Sequence, residues 1–151
     1  MYTQLKLENQ LCFRFYTLSR LVTQAYRPLL SRLGVTYPQY LVLLVLWEKD
    51  GQPVNDIARR LVLETNTVTP LLKRMEREGL VHRAPGGQDS RQVIVSLTNK
   101  GRDLEERASR IPFEMGRSYA CASLSTDKLG AFIKLLDDLT RTLRQTEKHS
   151  V

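Results

Sequence analysis

The sequence predicts a mainly α-helical chain with one small β-hairpin. Three observations carry that reading. Apolar residues recur at three- and four-residue steps from Leu7 to Leu33. A second helical stripe, Val68, Leu71, Leu72 and Met75, ends at Gly79. Between Leu80 and Leu97 the period switches to two, on either side of a turn-rich stretch, Pro85-Gly86-Gly87-Gln88-Asp89.

The first helix is expected over about Leu7 to Leu33, with Leu7, Leu11, Phe15, Leu18, Val22, Ala25, Leu29 and Leu33 on one stripe and Gly34 closing it. Pro38 opens a second helix to about Lys49. It is apolar almost all round from Tyr40 to Trp47, so most of its sides are expected to be buried, Trp47 included. Asp50-Gly51 marks a turn. Pro53 to Leu61 reads as a short helix and Thr65 to Glu78 as the next, with Pro70 in its first turns. The hairpin follows, with Val93, Val95 and Leu97 alternating against polar neighbours. Thr98 is a good N-cap for a helix from Asn99 to about Tyr119, which Pro112 should kink or break. Ser125 caps a last helix, about Thr126 to Gln145, with Leu129, Phe132, Ile133, Leu136, Leu139 and Leu143 on one side.

A chain of 151 residues is expected to form one domain with a core that needs no disulfide framework. The strongly apolar run at Tyr40 to Trp47 is far too short to span a bilayer, and MYTQLKLENQ lacks an apolar signal core, so a cytoplasmic protein without membrane contact is expected. His82 and His149 lie far apart with no cysteine nearby in sequence, so neither a metal nor another cofactor is expected. Lys and Arg exceed Asp and Glu by seven, which points first to a polyanionic partner such as nucleic acid.

Helix, helix, short helix, tight connection, helix and hairpin is the element order of a winged helix-turn-helix. The helix from Thr65 is the recognition candidate. Thr65, Asn66, Thr67 and Thr69 crowd its start with short polar groups suited to base edges and phosphates, and Lys73, Arg74 and Arg77 follow where phosphates would lie. On the hairpin, Arg91 can enter a minor groove with Asp89 holding it. The competing reading of these charges is a solvated helix face. The first and last helices carry more apolar stripe than a lone winged helix can bury. Pairing across a two-fold axis would bury it, giving a homodimer that reads two half-sites of a pseudo-palindromic double-stranded operator. An intrachain bundle is the alternative. The DNA-binding part is expected at about residues 36–98, with 5–33 and 99–146 as dimerisation helices.

Residues from Leu46 to Thr98 resemble the MarR family of bacterial transcription regulators. The resemblance rests on Thr67-Val68-Thr69-Pro70-Leu71-Leu72-Lys73-Arg74-Met75-Glu76-Arg77-Glu78-Gly79-Leu80, on Asp89-Ser90-Arg91, and on Val95-Ser96-Leu97-Thr98-Asn99-Lys100-Gly101. Leu7 to Phe13, Tyr26 to Leu30 and Thr36 to Tyr40 are similar to its organic hydroperoxide resistance regulators. That resemblance implies a repressor, not an enzyme, that senses organic hydroperoxides. It makes Cys12 the sensing thiol, Tyr26 and Tyr37 its hydrogen-bonding tyrosines from the partner subunit, and Tyr16 a further tyrosine nearby. It also implies that Cys121 resolves the oxidised sulfur, that Thr65, Thr67 and Arg74 contact DNA, and that Asp89 and Arg91 form the wing pair. The stretch from Arg83 to Gln88 departs from the pattern in having fewer basic and serine residues.

The residues alone leave Cys12 open between a small buried hydrophobe and a thiolate favoured by a helix start. Two other functions stay in play: a MarR-type regulator answering a small aromatic ligand, and a thiol peroxidase.

Overall fold

The computed structural model describes residues 2–86, 92–120 and 125–148. The chain divides into two compact units, Met1–Ile111 and Pro112–Val151. The first holds α1 (Leu11–Ser31), α2 (Tyr37–Glu48), α3 (Val54–Leu61), α4 (Thr65–Arg77) and α5 (Asn99–Ala108), with strands β1 (Gln52–Pro53), β2 (Val81–Pro85) and β3 (Val93–Leu97). α6 (Ile111–Ala120) leads into the second unit, which also holds α7 (Thr126–Lys148).

The first helix starts four residues later than its apolar stripe suggests. Two 3₁₀ turns, Thr3–Leu5 and Leu7–Asn9, precede it. Asn9 Nδ2 donates to Thr3 O at 2.8 Å and Gln10 Nε2 to Gln4 O at 2.6 Å. Such side-chain bonds to the backbone compete with the helical ladder. The helix expected from Asn99 breaks between Ala108 and Ile111, just ahead of Pro112. Pro112 falls on the second residue of α6, where a missing N–H costs nothing.

The expected hairpin is β2 paired antiparallel with β3, Arg83 opposite Val95. A third strand was not anticipated: β1 pairs with the other edge of β3, giving the order β1-β3-β2. Two residues are too few to show a period, and Pro53 is tolerated because β1 is an edge.

The core of this unit lies between α2, α3, α4 and β3. It includes Val42, Leu43, Leu46, Ile57, Val68, Leu72, Met75 and Val95, all fully buried. Each such side chain contributes about 1.5–3 kcal/mol on burial. Trp47 is only half-buried; its indole N–H donates to Gly101 O at 3.0 Å. α5 packs tightly because a Cβ at Gly101 would come within 2.2 Å of Leu80 O. Thr98 caps α5 by accepting from Gly101 N at 3.1 Å, and its hydroxyl donates to Gly79 O at 2.6 Å.

The turn between α3 and α4 places Val62 at φ 55°, in the left-handed region. A β-branched residue there carries about 1–2 kcal/mol of strain. That strain sits in the turn that sets α4 against α3.

Asp50 joins three parts of this unit. Its Oδ1 accepts from Gly51 N and Leu97 N, each at 2.8 Å, and its Oδ2 meets Arg102 Nη2 at 2.7 Å. Burial pushes the carboxyl up, but the Leu97 amide, the Arg102 guanidinium and the Gly51 amide outweigh it and hold the pKa below 3.8. A lowered native pKa means stability that is present above the unfolded value and lost as pH falls through the native one. Asp50→Ala is expected to cost about 1–2 kcal/mol at pH 7, discounted because the group is partly exposed. Thermal melts should show the gap to wild type closing as acid protonates Asp50 below pH 3.8.

Candidate nucleic-acid interface and redox site

α4 has two unlike faces. Val68, Leu72 and Met75 point into the core and are fully buried. Thr65, Asn66, Thr67, Lys73, Arg74 and Arg77 are exposed, and Thr69 is half-buried. The stripe at steps of four and three turns the polar residues outward together. Thr69 donates its hydroxyl to Thr65 O at 2.7 Å, which leaves its oxygen as an acceptor. Among the described residues, no ion pair joins Lys73, Arg74 or Arg77 to an acid. The cationic side of α4 is therefore open to an anion. Asp89 and Arg91 lie outside the described residues, as does Cys121.

Cys12 is the second residue of α1, and its thiol is free and exposed. Within the single chain the thiol is therefore not part of the core. Arg14 donates from Nη1 back to Gln10 O at 3.2 Å. Tyr16 lies one helical turn after Cys12 and shares its face. Its ring stacks on Phe13 at 6.3 Å, and the Arg20 guanidinium lies 5.6 Å from its centre. Around this end the apolar face of α1 is open: Leu11 is 62% exposed, Leu21 56% and Tyr16 57%.

The other two tyrosines sit elsewhere. Tyr26 lies fourteen residues after Cys12 on one continuous helix, about 21 Å at 1.5 Å per residue. Its ring is 5.0 Å from Tyr37 and 6.0 Å from Tyr40. Tyr40 was not singled out from the sequence, although it follows Tyr37 by three residues on a helix. Burial pushes the hydroxyl of Tyr37 above its ordinary 10.0, and burial followed by the charge of Tyr37 does the same for Tyr40. Both stay protonated at neutral pH and able to donate. A cavity of about 580 Å³ opens beside them between α1 and the start of α2, lined by Arg20, Thr23, Arg27, Leu30, Thr36 and Tyr37 among others.

Gln39 ties this end of the unit to α4, and sequence reasoning missed it. It is 2% exposed. Its Oε1 accepts from Thr36 N at 2.8 Å, closing a capping box at the start of α2. Its Nε2 donates to Glu78 Oε2 at 2.6 Å, at the C-terminal end of α4. The Thr36-x-x-Gln39 spacing of a capping box ahead of an apolar helix is the sequence signal that would have found it.

The model for the transcriptional regulator family SarA/Rot matches residues 24–107. The organic hydroperoxide resistance transcriptional regulator of Bacillus subtilis (strain 168) is 43% identical over 95% of this chain and 96% of its own. The chain belongs to the SarA/Rot regulators, a MarR-like winged-helix family. Two solved structures of AbfR, a protein of Staphylococcus epidermidis, add two states. Reduced AbfR bound to DNA superposes with a TM-score of 0.77 at 38% identity, covering 95% of this chain and 96% of that one. Disulfide-formed AbfR gives 0.61 at 39% identity, covering 91% and 94%. The full-length likeness is to transcription regulators, not peroxidases, which sets the thiol peroxidase reading aside. Among the described residues no helix is long and apolar enough to cross a membrane.

Gln39→Leu keeps the volume but leaves Glu78 and the Thr36 amide without their buried partner. Urea unfolding is expected to show a loss of about 1–1.5 kcal/mol, since Thr36 and Glu78 are exposed and can be rehydrated. A loss under 0.5 kcal/mol would mean that α2 and α4 do not depend on this bridge.

Proposed function

We propose that the chain is a homodimeric, cytoplasmic repressor that binds a pseudo-palindromic operator while Cys12 is reduced, and releases it when an organic hydroperoxide oxidises Cys12. One observation carries the reading. Cys12 is exposed among open apolar residues, while Tyr26 lies about 21 Å along the same helix, beyond any side chain's reach, with the Tyr37 ring of α2 packed 5.0 Å from it. A second copy is what brings the hydroxyls of Tyr26 and Tyr37 to this sulfur. Packing α1 against a partner's α1 in the opposite sense buries Leu11, Leu18 and Leu21 and carries each Cys12 toward the other chain's Tyr26 and Tyr37. Residues 36–98 then form the DNA-binding part, and the helices within 5–33 and 99–146 form the dimer.

The chemistry follows from that placement. The Cys12 thiolate attacks one peroxide oxygen, the O–O bond breaks, and the alkoxide leaves and takes a proton as the alcohol. Tyrosine hydroxyls donating to the sulfur favour its charged form. The resulting sulfenic acid condenses with the partner's Cys121 thiol, forming a disulfide and water. The relative solved both bound to DNA when reduced and in a disulfide form supports this sequence. A shift at Tyr37 reaches α4 through Gln39 and Glu78. On DNA, the start of α4 lies in the major groove, where Thr65, Asn66, Thr67 and Thr69 meet bases and phosphates. Lys73, Arg74 and Arg77 neutralise the backbone, and Arg91, held by Asp89, enters the minor groove.

The cavity beside Tyr37 favours a second reading. Arg20 and Arg27 on its wall suit a small aromatic acid bound as effector. One experiment separates the two. Reduced protein on a duplex from its own promoter region should be released by cumene hydroperoxide and restored by dithiothreitol, with salicylate lacking effect. Cys12→Ser should bind equally and ignore the hydroperoxide; release of this variant at the same dose would place the sensor elsewhere. On a non-reducing gel, oxidised wild type should run as a cross-linked dimer, and Cys12→Ser and Cys121→Ser as monomers. A wild-type monomer carrying a small-thiol adduct on Cys12 would remove Cys121 from the mechanism.

A further inference from the structure

We propose that the cleft where α3, α4 and the sheet meet is a seat for one phosphate of the DNA backbone, with Arg83 as its cation. The inference rests on the DNA-binding reading and extends it to a group outside the recognition helix. The cleft has a volume of about 160 Å³. Asn55, Thr65, Thr69, Arg83 and Gln92 line it, with two valines. Every polar side chain in that set can donate a hydrogen bond, and none is acidic.

Arg83 is held but not satisfied. It lies on β2, and its side chain is 17% exposed. Its backbone N–H donates to Glu76 Oε1 at 2.9 Å. Its Nη1 stands 3.5 Å from Glu76 Oε2, well beyond the roughly 2.7–2.9 Å of a charge-assisted hydrogen bond. Its Nε is buried with no acceptor among the described residues. A guanidinium kept in place by one long ion pair has donors left for an oxyanion, and its planar fork matches phosphate oxygens. Thr65 Oγ1 lies 3.2 Å from Asn55 Oδ1. With the hydroxyl donating to that carbonyl, the Asn55 amide keeps its N–H groups for another acceptor.

The grooves of the duplex supply the ligand. With the start of α4 in a major groove and the wing in the neighbouring minor groove, one sugar–phosphate strand separates the two and must cross between them. The cleft lies there: Thr65 and Thr69 come from α4, and Arg83, Gln92 and Val93 from the base of the wing. A phosphate seated there fixes how deeply the helix and wing enter, without reading sequence.

Fluorescence anisotropy of the full-length reduced protein tests this, using a promoter duplex and an unrelated duplex between 50 and 300 mM salt. Arg83→Gln should weaken both by a similar factor, about tenfold. It should also flatten the slope of log affinity against log salt by about one per cleft. In a series of duplexes with single phosphates replaced by neutral methylphosphonate, one position per half-site should weaken wild type and leave Arg83→Gln unaffected. If every substitution acts equally on both proteins, or if the variant weakens binding with an unchanged salt slope, Arg83 only pins β2 to α4 and the proposal fails. If Arg83→Gln melts before wild type's binding temperature, Asn55→Ala on the exposed rim takes its place. It should weaken both duplexes about fivefold, and unchanged affinity overturns the seat. Wild type that binds neither duplex would instead overturn the DNA-binding reading.

Discussion

A tyrosine side chain cannot reach 21 Å along the helix that carries it. That limit organises the redox site. α1 runs unbroken from Leu11 to Ser31, so it holds Cys12 at one end and Tyr26 near the other. The same helix leaves Leu11, Leu18 and Leu21 exposed beside the sulfur. Covering an apolar helix face this open is favourable, since each buried leucine contributes about 1.5–3 kcal/mol. In the proposed dimer, covering the face and completing the thiol site are met by one event, the arrival of a second α1.

The DNA-facing half depends on how firmly α4 is held. Its apolar stripe is fully buried, and the turn before it carries the strain of Val62 in the left-handed region. Its C-terminal end meets Gln39. Glu76, on its inner edge, binds Arg83 of β2 through both carboxylate oxygens. Asp50 and the Thr98–Gly101 cap fix β3 and α5 behind it. The exposed cations of α4 take no part in this scaffold. Their charge is left for a partner, in keeping with the chain's formal excess of +7.

Gln39 differs in kind from the surface ion pairs. Arg59–Asp56 and Arg141–Asp138 are well exposed pairs three residues apart, worth little in water. Gln39 is buried, so losing either partner strands a polar group where no water replaces it. That bridge joins the start of α2 to the end of α4. It starts two residues from Tyr37 and ends on the helix proposed to read DNA.

Much of this was legible in the residue order. Helical and two-residue periods marked α2 to α4 and the hairpin, since burial of one face imposes the period on the chain. The polar start of α4, Pro112 as a breaker and Thr98 as a cap are local chemistry, readable over a few residues. The resemblance to hydroperoxide regulators singled out Cys12, Tyr26 and Tyr37. Other features arise only when distant segments meet. β1 is two residues long and exists because β3 offers it an edge. Gln39 and Glu78 are thirty-nine residues apart, and Arg83 meets Asn55 and Thr65 only across a folded cleft. Periodicity records which face is buried; which polar groups then face one another is decided by the packing of those faces in three dimensions.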